Sequence, residues 1–394
     1  MSHYKPYPVY RDSGVEWIGR VPEHWKKMPF KRLASICNGQ DYKDVEDADG
    51  AYPVIGSGGE FARASSFLFD GESVLLGRKG TIDKPLYING PFWAVDTMFY
   101  TKIVGHAFPK FVYYTALTIP FSRYSTNTAL PSMTGENLSS HVIAAPEISE
   151  QQVIATSLDR ETFRIDALIA KKTRFIELLK EKRQALITHA VTKGLDPNVK
   201  MKDSGVEWIG EVPEHWRTGI LKRFIVFQRG HDLPSELRGE GTVPVVSSGG
   251  YTGTHNVAVA KAPGIVTGRY GSLGEFTFVE KDYWPLNTAL YSIQLFDNDP
   301  RFVWYLLQHI SDLFLLYSAK AAVPGIDRND IHEIFVAAPQ HDEQEQIAQR
   351  LDKLSDRITT LTEKTQRSID LLKERRAAFI TAAVTGQIDL RGSA

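Results

Sequence analysis

The chain has 394 residues, and its 46 Lys and Arg side chains against 47 Asp and Glu give a formal net charge of −1. A hydrophobic content of 42% and a single cysteine, Cys37, exclude global disorder, an internal disulfide framework and a cysteine-based zinc cluster. The sequence has no apolar run long enough for a membrane span and no apolar segment of a secretory signal at its start. We therefore expect a cytoplasmic protein of two or three domains, and the balanced charge disfavours a basic nucleic-acid binder.

A motif near the N-terminus occurs twice. DSGVEWIGRVPEHW, residues 12–25, recurs as DSGVEWIGEVPEHW, residues 203–216, with one difference and an offset of 191 residues. The offset persists through the segments that follow and has become 193 at Pro146 and Pro339. Six of the seven tryptophans fall into matched pairs. The sequence therefore predicts a tandem duplication of one unit instead of unrelated domains.

Each copy begins with a globular part and ends with a long helix. Short apolar runs between Gly- and Pro-rich turns predict strands mixed with short helices in the globular parts. A capping-box pattern predicts each helix start and a glycine its end: Ser149 with Gln152 and then Gly194, and Asp342 with Glu345 and then Gly386. The domains predicted are two globular parts, 1–148 and 203–341, and two helical parts, 149–202 and 342–394.

The two helices carry matching apolar stripes. The heptad positions are Leu158, Ile165, Leu179 and Leu186, then Leu351, Ile358, Leu372 and Phe379, with Leu168 and Leu361 as intermediate positions. Each helix could pack on its own globular part, or the two could pair. Because the stripes are of equal length, we expect pairing.

The sequence contains none of the common catalytic patterns. The phosphate-binding and dinucleotide-binding glycine motifs, the H-E-x-x-H zinc motif and the G-x-S-x-G elbow are missing. The segment 89–92, NGPF, is a distant match to the N-P-P-F loop of amino-methyltransferases, and its counterpart 280–283 abandons the pattern. The chain is therefore predicted to be non-catalytic and to hold no metal.

Two glycine-rich loops in each copy are candidate DNA contacts. Small residues let backbone N–H groups approach an anion, and an arginine on a turn can bind phosphate or guanine. In the alternative interpretation the glycines only build hairpins. Retention of the loops while their flanks diverge favours two readers of different short sequences. The candidates are Ser57, Gly58, Arg78, Lys79 and Thr81, and Ser248, Gly249, Arg269, Tyr270 and Ser272.

The near-invariant motif and the helix stripes indicate a different role. Their invariance fits a structural brace or a partner-docking surface better than sequence reading. The residues predicted for this role are Trp17, Trp25, Trp208, Trp216, Leu179 and Leu372. We also expect the end of the second helix to return close to the N-terminus.

The combination resembles the specificity subunit of type I restriction-modification systems. The resemblance covers nearly the whole chain and depends on the doubled DSGVEWIG-x-VPEHW, the doubled GR-x-G-[TS] and the paired helix ends LLKEKRQALITHAVT and LLKERRAAFITAAVT. It implies an α+β fold in which two target-recognition domains are separated by two long helices, which form an antiparallel coiled coil with pseudo-twofold symmetry. Each domain would read one half of an asymmetric bipartite double-stranded DNA site, and helix length would set the spacer.

The resemblance also implies partners and their cofactors. Two modification subunits would methylate adenine with S-adenosylmethionine, and restriction subunits would cleave DNA with ATP and Mg²⁺, while this chain holds no cofactor itself. The alternatives are a tandem protein-interaction scaffold without DNA readout, or part of a self-contained restriction-modification enzyme. Because residues 203–343 carry 11 basic and 18 acidic groups, we expect the chain alone to bind DNA weakly.

Overall fold

The computed structural model describes residues 5–105, 107–126, 131–318, 325 and 327–392. It consists of two compact units, each with one globular part and a segment of both long helices. The first unit is Met1–Lys172 with Arg367–Ala394, and the second is Thr173–Gln366.

The first unit contains a mixed sheet with short helices beside it. Its strands are β1 (Tyr10–Asp12), β2 (Arg20–Pro22), β3 (Lys26–Pro29), β4 (Ala34–Asn38), β5 (Tyr52–Gly56), β6 (Gly59–Ala64), β7 (Phe69–Gly77), β8 (Leu86–Ala94), β9 (Met98–Ile103) and β10 (Val142–Ala145). Its helices are α1 (Pro109–Ala116), α2 (Gly135–Ser140) and the first part of α3 (Ile148–Lys193).

Six of these strands form one sheet in the order β4-β9-β7-β8-β5-β6. The β5–β8 pair is parallel and the others are antiparallel. Gly71 and Gly90 face each other across β7 and β8 with φ of 131° and 109°, a backbone conformation that requires glycine. Two small antiparallel pairs, β1–β2 and β3–β10, join the motif and the end of the globular part.

The second unit repeats this plan with a divided sheet. Its strands are β11 (Met201–Asp203), β12 (Glu211–Pro213), β13 (Arg217–Ile220), β14 (Val226–Arg229), β15 (Val243–Ser247), β16 (Gly250–His255), β17 (Gly264–Gly268), β18 (Phe276–Val279), β19 (Trp284–Pro285), β20 (Ala289–Gln294) and β21 (Phe335–Ala338). Its helices are α4 (Pro300–His309), α5 (Ser311–Ser318), α6 (Arg328–His332) and the first part of α7 (His341–Val384).

The strands of the second unit form a sheet of order β14-β20-β17-β18 and a sheet of order β16-β15-β19. The long β8 of the first unit thus corresponds to two shorter strands, β18 and β19. The pairs β11–β12 and β13–β21 repeat the small pairs of the first unit.

The long helices contribute to the hydrophobic core of each unit. In the first unit, Leu158 of α3 and Phe379 of α7 belong to the same core as Trp25, and Arg376 Nε lies 2.9 Å from Asp166 Oδ1. The beginning of α3 therefore packs beside the end of α7, so the helices are antiparallel. Packing on the globular part and helix pairing occur together, and the predicted pairing is confirmed.

The predicted helix starts are wrong by two residues. The helices begin at Ile148 and His341, so Ser149 and Asp342 lie inside the first turn. The reason is a pair of buried glutamines that the capping-box pattern did not include. Gln151 donates to the carbonyl oxygen of Pro146 and accepts from the N–H of Phe108, at 2.9 Å each. Gln344 makes the equivalent bonds with Pro339 and Asp299, and its Nε2 also donates to Asn298 Oδ1 at 2.9 Å.

The heptad positions are mostly buried. Leu158, Ile165, Leu179, Leu351, Ile358 and Phe379 are buried, and Leu186 and Leu372 are partly buried. The intermediate positions differ, because Leu168 and Leu361 are 41% and 38% exposed. The buried stripe is therefore narrower there than predicted.

Candidate nucleic-acid interface

The first candidate loop of each unit is a two-residue hairpin turn. Ser57 and Gly58 connect β5 to β6, and Ser248 and Gly249 connect β15 to β16. Apart from its two chain neighbours, no described residue has a heavy atom within 4 Å of the position that a Cβ at Gly58 would take, so this loop tip is open. In the second hairpin, the N–H of Gly249 donates to Ser247 Oγ at 3.3 Å, so the two tips differ in the backbone N–H groups that they can offer to a ligand.

The second candidate loop folds back over the strand that precedes it. A Cβ at Gly77 would lie 2.2 Å from the carbonyl oxygen of Thr81, and one at Gly268 would lie 2.4 Å from that of Ser272. Both distances are too short for any side chain, so glycine is required for the loop to close. The doubled GR-x-G-[TS] pattern is therefore a conformational requirement as well as a source of cations.

The second loop is held by backbone hydrogen bonds to the turn that precedes β9 in the first unit and β20 in the second. The N–H of Arg78 donates to the carbonyl oxygen of Thr97 at 2.8 Å, and the N–H of Arg269 donates to that of Thr288 at 2.9 Å. The backbone of both loops is thus fixed in the same way. Only the side chains differ.

The arginine side chains take different environments. Arg78 Nη1 donates to the carbonyl oxygen of Asp96 at 3.3 Å, and its guanidinium lies 5.9 Å from the centre of the Phe99 ring. Arg269 lies 4.8 Å from the ring centre of its neighbour Tyr270. Tyr270 and its counterpart Lys79 are exposed. The two loops therefore present different surfaces on one backbone.

The two candidate loops lie side by side. In the second unit, Ser248 Cβ is 3.3 Å from the position of a Cβ at Gly268, and Ser272 Oγ is 3.9 Å from that of a Cβ at Gly249. The residues predicted from the sequence are therefore gathered on one surface of this unit. Whether they contact bases or phosphates stays a prediction.

A third loop, which was not among the candidates predicted from the sequence, contacts the segment before β9 in the first unit and before β20 in the second. A Cβ at Gly39 would lie 2.0 Å from the carbonyl oxygen of Val95, and one at Gly230 would lie 2.2 Å from that of Leu286. The next residues differ: Gln40 is exposed, whereas His231 Nε2 lies 3.2 Å from Tyr291 Oη. The available signal was the offset of 191 between the two glycines.

The predicted brace divides into buried and exposed tryptophans. Trp25 and Trp216 are buried, and their Nε1 atoms donate to Glu150 at 3.0 Å and Glu343 at 3.2 Å. The same carboxylates lie 2.9 and 2.7 Å from the adjacent histidines, His24 and His215. These contacts fix the motif to the first turn of each long helix.

Trp17 and Trp208 are 39% and 43% exposed, so they remain available for docking. Trp17 donates to the carbonyl oxygen of Val142 at 3.1 Å and stacks on His141 at 5.3 Å between ring centres. Burial lowers the pKa of His141 to about 4, with a smaller contribution from Arg123. The ring is therefore neutral at physiological pH.

The end of the second helix returns to the N-terminal motif, as expected. The N–H of Asp389 donates to the carbonyl oxygen of Lys5 at 2.8 Å, and Gln387 Nε2 donates to that of Arg20 at 2.7 Å. Gly194 and Gly386 end the two helices with φ of 76° and 73°. Both conformations are those expected of a C-terminal glycine.

Comparison with known proteins agrees with this arrangement. The family described as "Type I restriction modification DNA specificity domain" matches residues 22–178 and again 213–371. The chain is 20% identical over 414 aligned residues to the type I restriction enzyme EcoDI specificity subunit of Escherichia coli, covering 94% of this chain and 90% of that protein. It is 25% identical to the MjaVIII specificity subunit of Methanocaldococcus jannaschii, over 54% of this chain and 51% of that protein.

Solved structures share the fold. One, from work on complex assembly and conformational transition of the type I R-M system, has a TM-score of 0.72 at 14% identity and covers 95% of this chain and 99% of its own. The HsdS subunit from Thermoanaerobacter tengcongensis has a TM-score of 0.53 at 13% identity, covering 96% and 100%.

These matches cover most of the chain, in two copies. The chain belongs to the type I restriction-modification DNA specificity family. Each of the two matches covers most of a globular part and continues into the long helix that follows it. In the part of the chain that the structure describes, no helix is long and apolar enough to cross a membrane.

Proposed function

We propose that the chain is the non-catalytic specificity subunit of a type I restriction-modification complex and reads an asymmetric bipartite DNA site. Each globular part reads one half of the site, and the paired helices set the spacer between the halves. The observation that carries this proposal is the repeated loop frame, in which equivalent backbones present different side chains. Such an arrangement suits two readers of different sequences.

The loop tips have the chemistry that base reading needs. Gln40 in the first unit can bond to adenine in the major groove, and Arg269 in the second can bond to guanine O6 and N7. Because the cations at these tips are few, phosphate attraction must come largely from partner subunits. We therefore propose two modification subunits and restriction subunits as partners in the cytoplasm, with S-adenosylmethionine, ATP and Mg²⁺ bound by those partners.

The test is to map adenine methylation in a strain that carries the intact system. The proposal predicts one methylated motif with two specified halves and an unspecified spacer. Deleting one heptad from each helix, at Leu179 and Leu372, should change the spacer while leaving both halves unchanged. Methylation without a bipartite motif would contradict the proposal, as would a deletion that changes a half-site.

The alternative of a protein-interaction scaffold predicts a different result. Under that alternative, replacing both Arg78 and Arg269 by alanine leaves assembly and DNA affinity of the complex unchanged. Under our proposal, assembly is retained and DNA affinity falls. Gel-shift titration of the reconstituted complex distinguishes the two.

A further inference from the structure

The two units differ at one equivalent position away from the candidate DNA loops. After β20, Phe296 adopts a φ of 52°, the positive φ that bulky side chains rarely take. The equivalent residue of the first unit, at the offset of 191, is Gly105 with a φ of 60°. The backbone thus requires a glycine-like conformation in both units, and the second unit places an aromatic side chain there. Phe296 is nevertheless 52% exposed, so core packing does not account for it.

Phe296 borders a surface cavity of about 260 Å³ that belongs entirely to the second unit. Arg217 and Arg223 line the same cavity, together with Thr218, Phe224, Asp297 and Asn298. Among the residues that the structure describes, both arginines are exposed and neither guanidinium has a hydrogen bond or ion pair. With Asp297 included, the charged side chains of the cavity sum to +1. A strained aromatic residue beside two unpaired arginines is typical of a binding site.

The first unit pairs one of the two equivalent cations and leaves the other, Arg32, exposed. Lys26, the counterpart of Arg217, forms an ion pair with Glu147 at 2.7 Å. Both cations lie on equivalent strands, because Lys26 pairs with Ala145 and Arg217 pairs with Ala338. The counterpart of Glu147 is Gln340, so Arg217 has lost its acidic partner in the second unit.

A further substitution makes room for the second arginine. Met28 of the first unit is replaced by Gly219, and Arg223 Cδ lies 3.6 Å from the position that a Cβ at Gly219 would take. The guanidinium of Arg223 is thereby laid over β13, on the strand that carries Arg217. Through these three differences, the second unit has an aromatic side chain at position 296, an unpaired Arg217 and a guanidinium laid over Gly219.

We propose that this cavity is a docking site for an acidic segment of a protein partner, with carboxylates on Arg217 and Arg223 and an apolar side chain on Phe296. The proposal rests on the proposed function for the identity of the partners. Arginine forks match carboxylates in two parallel bonds, and arginine and aromatic residues dominate protein interfaces.

A DNA phosphate is the less favoured occupant. Ala289, at the start of β20, pairs with Gly268 at the edge of the candidate DNA surface. Phe296 lies beyond the other end of β20, roughly 20 Å from Ala289 at about 3.3 Å per residue of strand. The cavity is therefore remote from the loops proposed to read bases.

The test combines Phe296→Gly, Arg217→Ala and Arg223→Ala in the full chain. Glycine restores the residue type that Gly105 shows to be compatible with this backbone, and both arginines are exposed, so the fold is retained. The purified modification subunit and the purified restriction subunit are titrated separately against the chain by calorimetry. We expect association with one of them to weaken about tenfold to hundredfold. The matched control is Lys26→Ala with Arg32→Ala in the first unit, which should bind as the unmodified chain does.

Unchanged association with both subunits would overturn the proposal, and so would a loss confined to affinity for a DNA duplex, which would assign the cavity to phosphate. Thermal unfolding of each variant checks that the fold is retained. The single variant Phe296→Gly repeats the titrations with both arginines intact. Failure of the proposed function shows separately, as the absence of a bipartite methylated motif with the unmodified chain.

Discussion

The first and second units share a backbone frame at the candidate DNA surface and differ at its loop tips. Gly77 and Gly268 close the second loop against the carbonyl oxygens of Thr81 and Ser272, and the third loop is held equally tightly in both units. The exposed residue at one tip is Lys79 in the first unit and Tyr270 in the second. The glycines that shape these loops cannot change, whereas the side chains at the tips can, as the proposed reading of two different half-sites requires.

The largest effect should come from the buried tryptophans, which the two units share. Trp25→Ala and Trp216→Ala each remove a fully buried ring and one of the hydrogen bonds to Glu150 or Glu343, so each should lower the free energy of unfolding by about 3–5 kcal/mol. Trp17→Ala and Trp208→Ala, at half-exposed positions, are the matched controls and should cost about 1 kcal/mol or less. Denaturant unfolding of the chain measures all four. Equal losses would show that the motif is a single brace.

The arginines of the second loop sharpen the comparison next. Arg78→Ala and Arg269→Ala should each weaken DNA binding by the assembled complex by about 1–3 kcal/mol. Base reading predicts relaxed specificity in one half-site only, whereas a phosphate contact predicts a uniform loss and a salt slope reduced by about 1. Lys281→Ala removes a charge at the opposite end of the sheet and is the control. A change in the other half-site would contradict independent reading.

The smallest expected effect is a pH dependence carried by His141, at one position where the two units differ. The pKa of His141 is lowered in the folded chain, so the unfolded state binds more protons below its ordinary pKa of about 6.5. Stability is therefore present at neutral pH and is lost as the pH falls toward 4, by roughly 1 kcal/mol at pH 5.7. The second unit has Ile334 at this position. The variant His141→Phe should flatten this part of the pH dependence, and an unchanged slope would exclude His141 as its source.

The duplication, the long helices and their terminal glycines could be predicted from the sequence because each depends on local spacing. The helix starts could not, because Gln151 and Gln344 are selected by bonds to distant chain segments, such as the N–H of Phe108. The division of the second sheet depends on strand pairing that no local pattern specifies. Of the candidate site, the hairpin tip and the GR-x-G-[TS] loop of each unit were predicted. The third loop was missed because a single glycine, followed by a different residue in each copy, is a weak sequence signal. Its importance is visible only in the backbone contacts of the fold.

Charge gives a second contrast between sequence and structure. Residues 203–343 are acidic overall, yet Arg217 and Arg223 stand unpaired on one face of that part and Arg269 lies on the candidate DNA surface. The net charge of residues 203–343 does not reveal these local groups of cations. Weak DNA binding by the isolated chain remains the expectation, since few cations lie at the loop tips.

The central claim is that each globular part reads one half of the DNA site independently. Replacing residues 26–148 by the corresponding domain of another specificity subunit tests it most directly, with methylation mapping as the measurement. The account predicts a hybrid motif in which one half changes while the other half is retained. A motif in which both halves change, or in which neither changes, would contradict it.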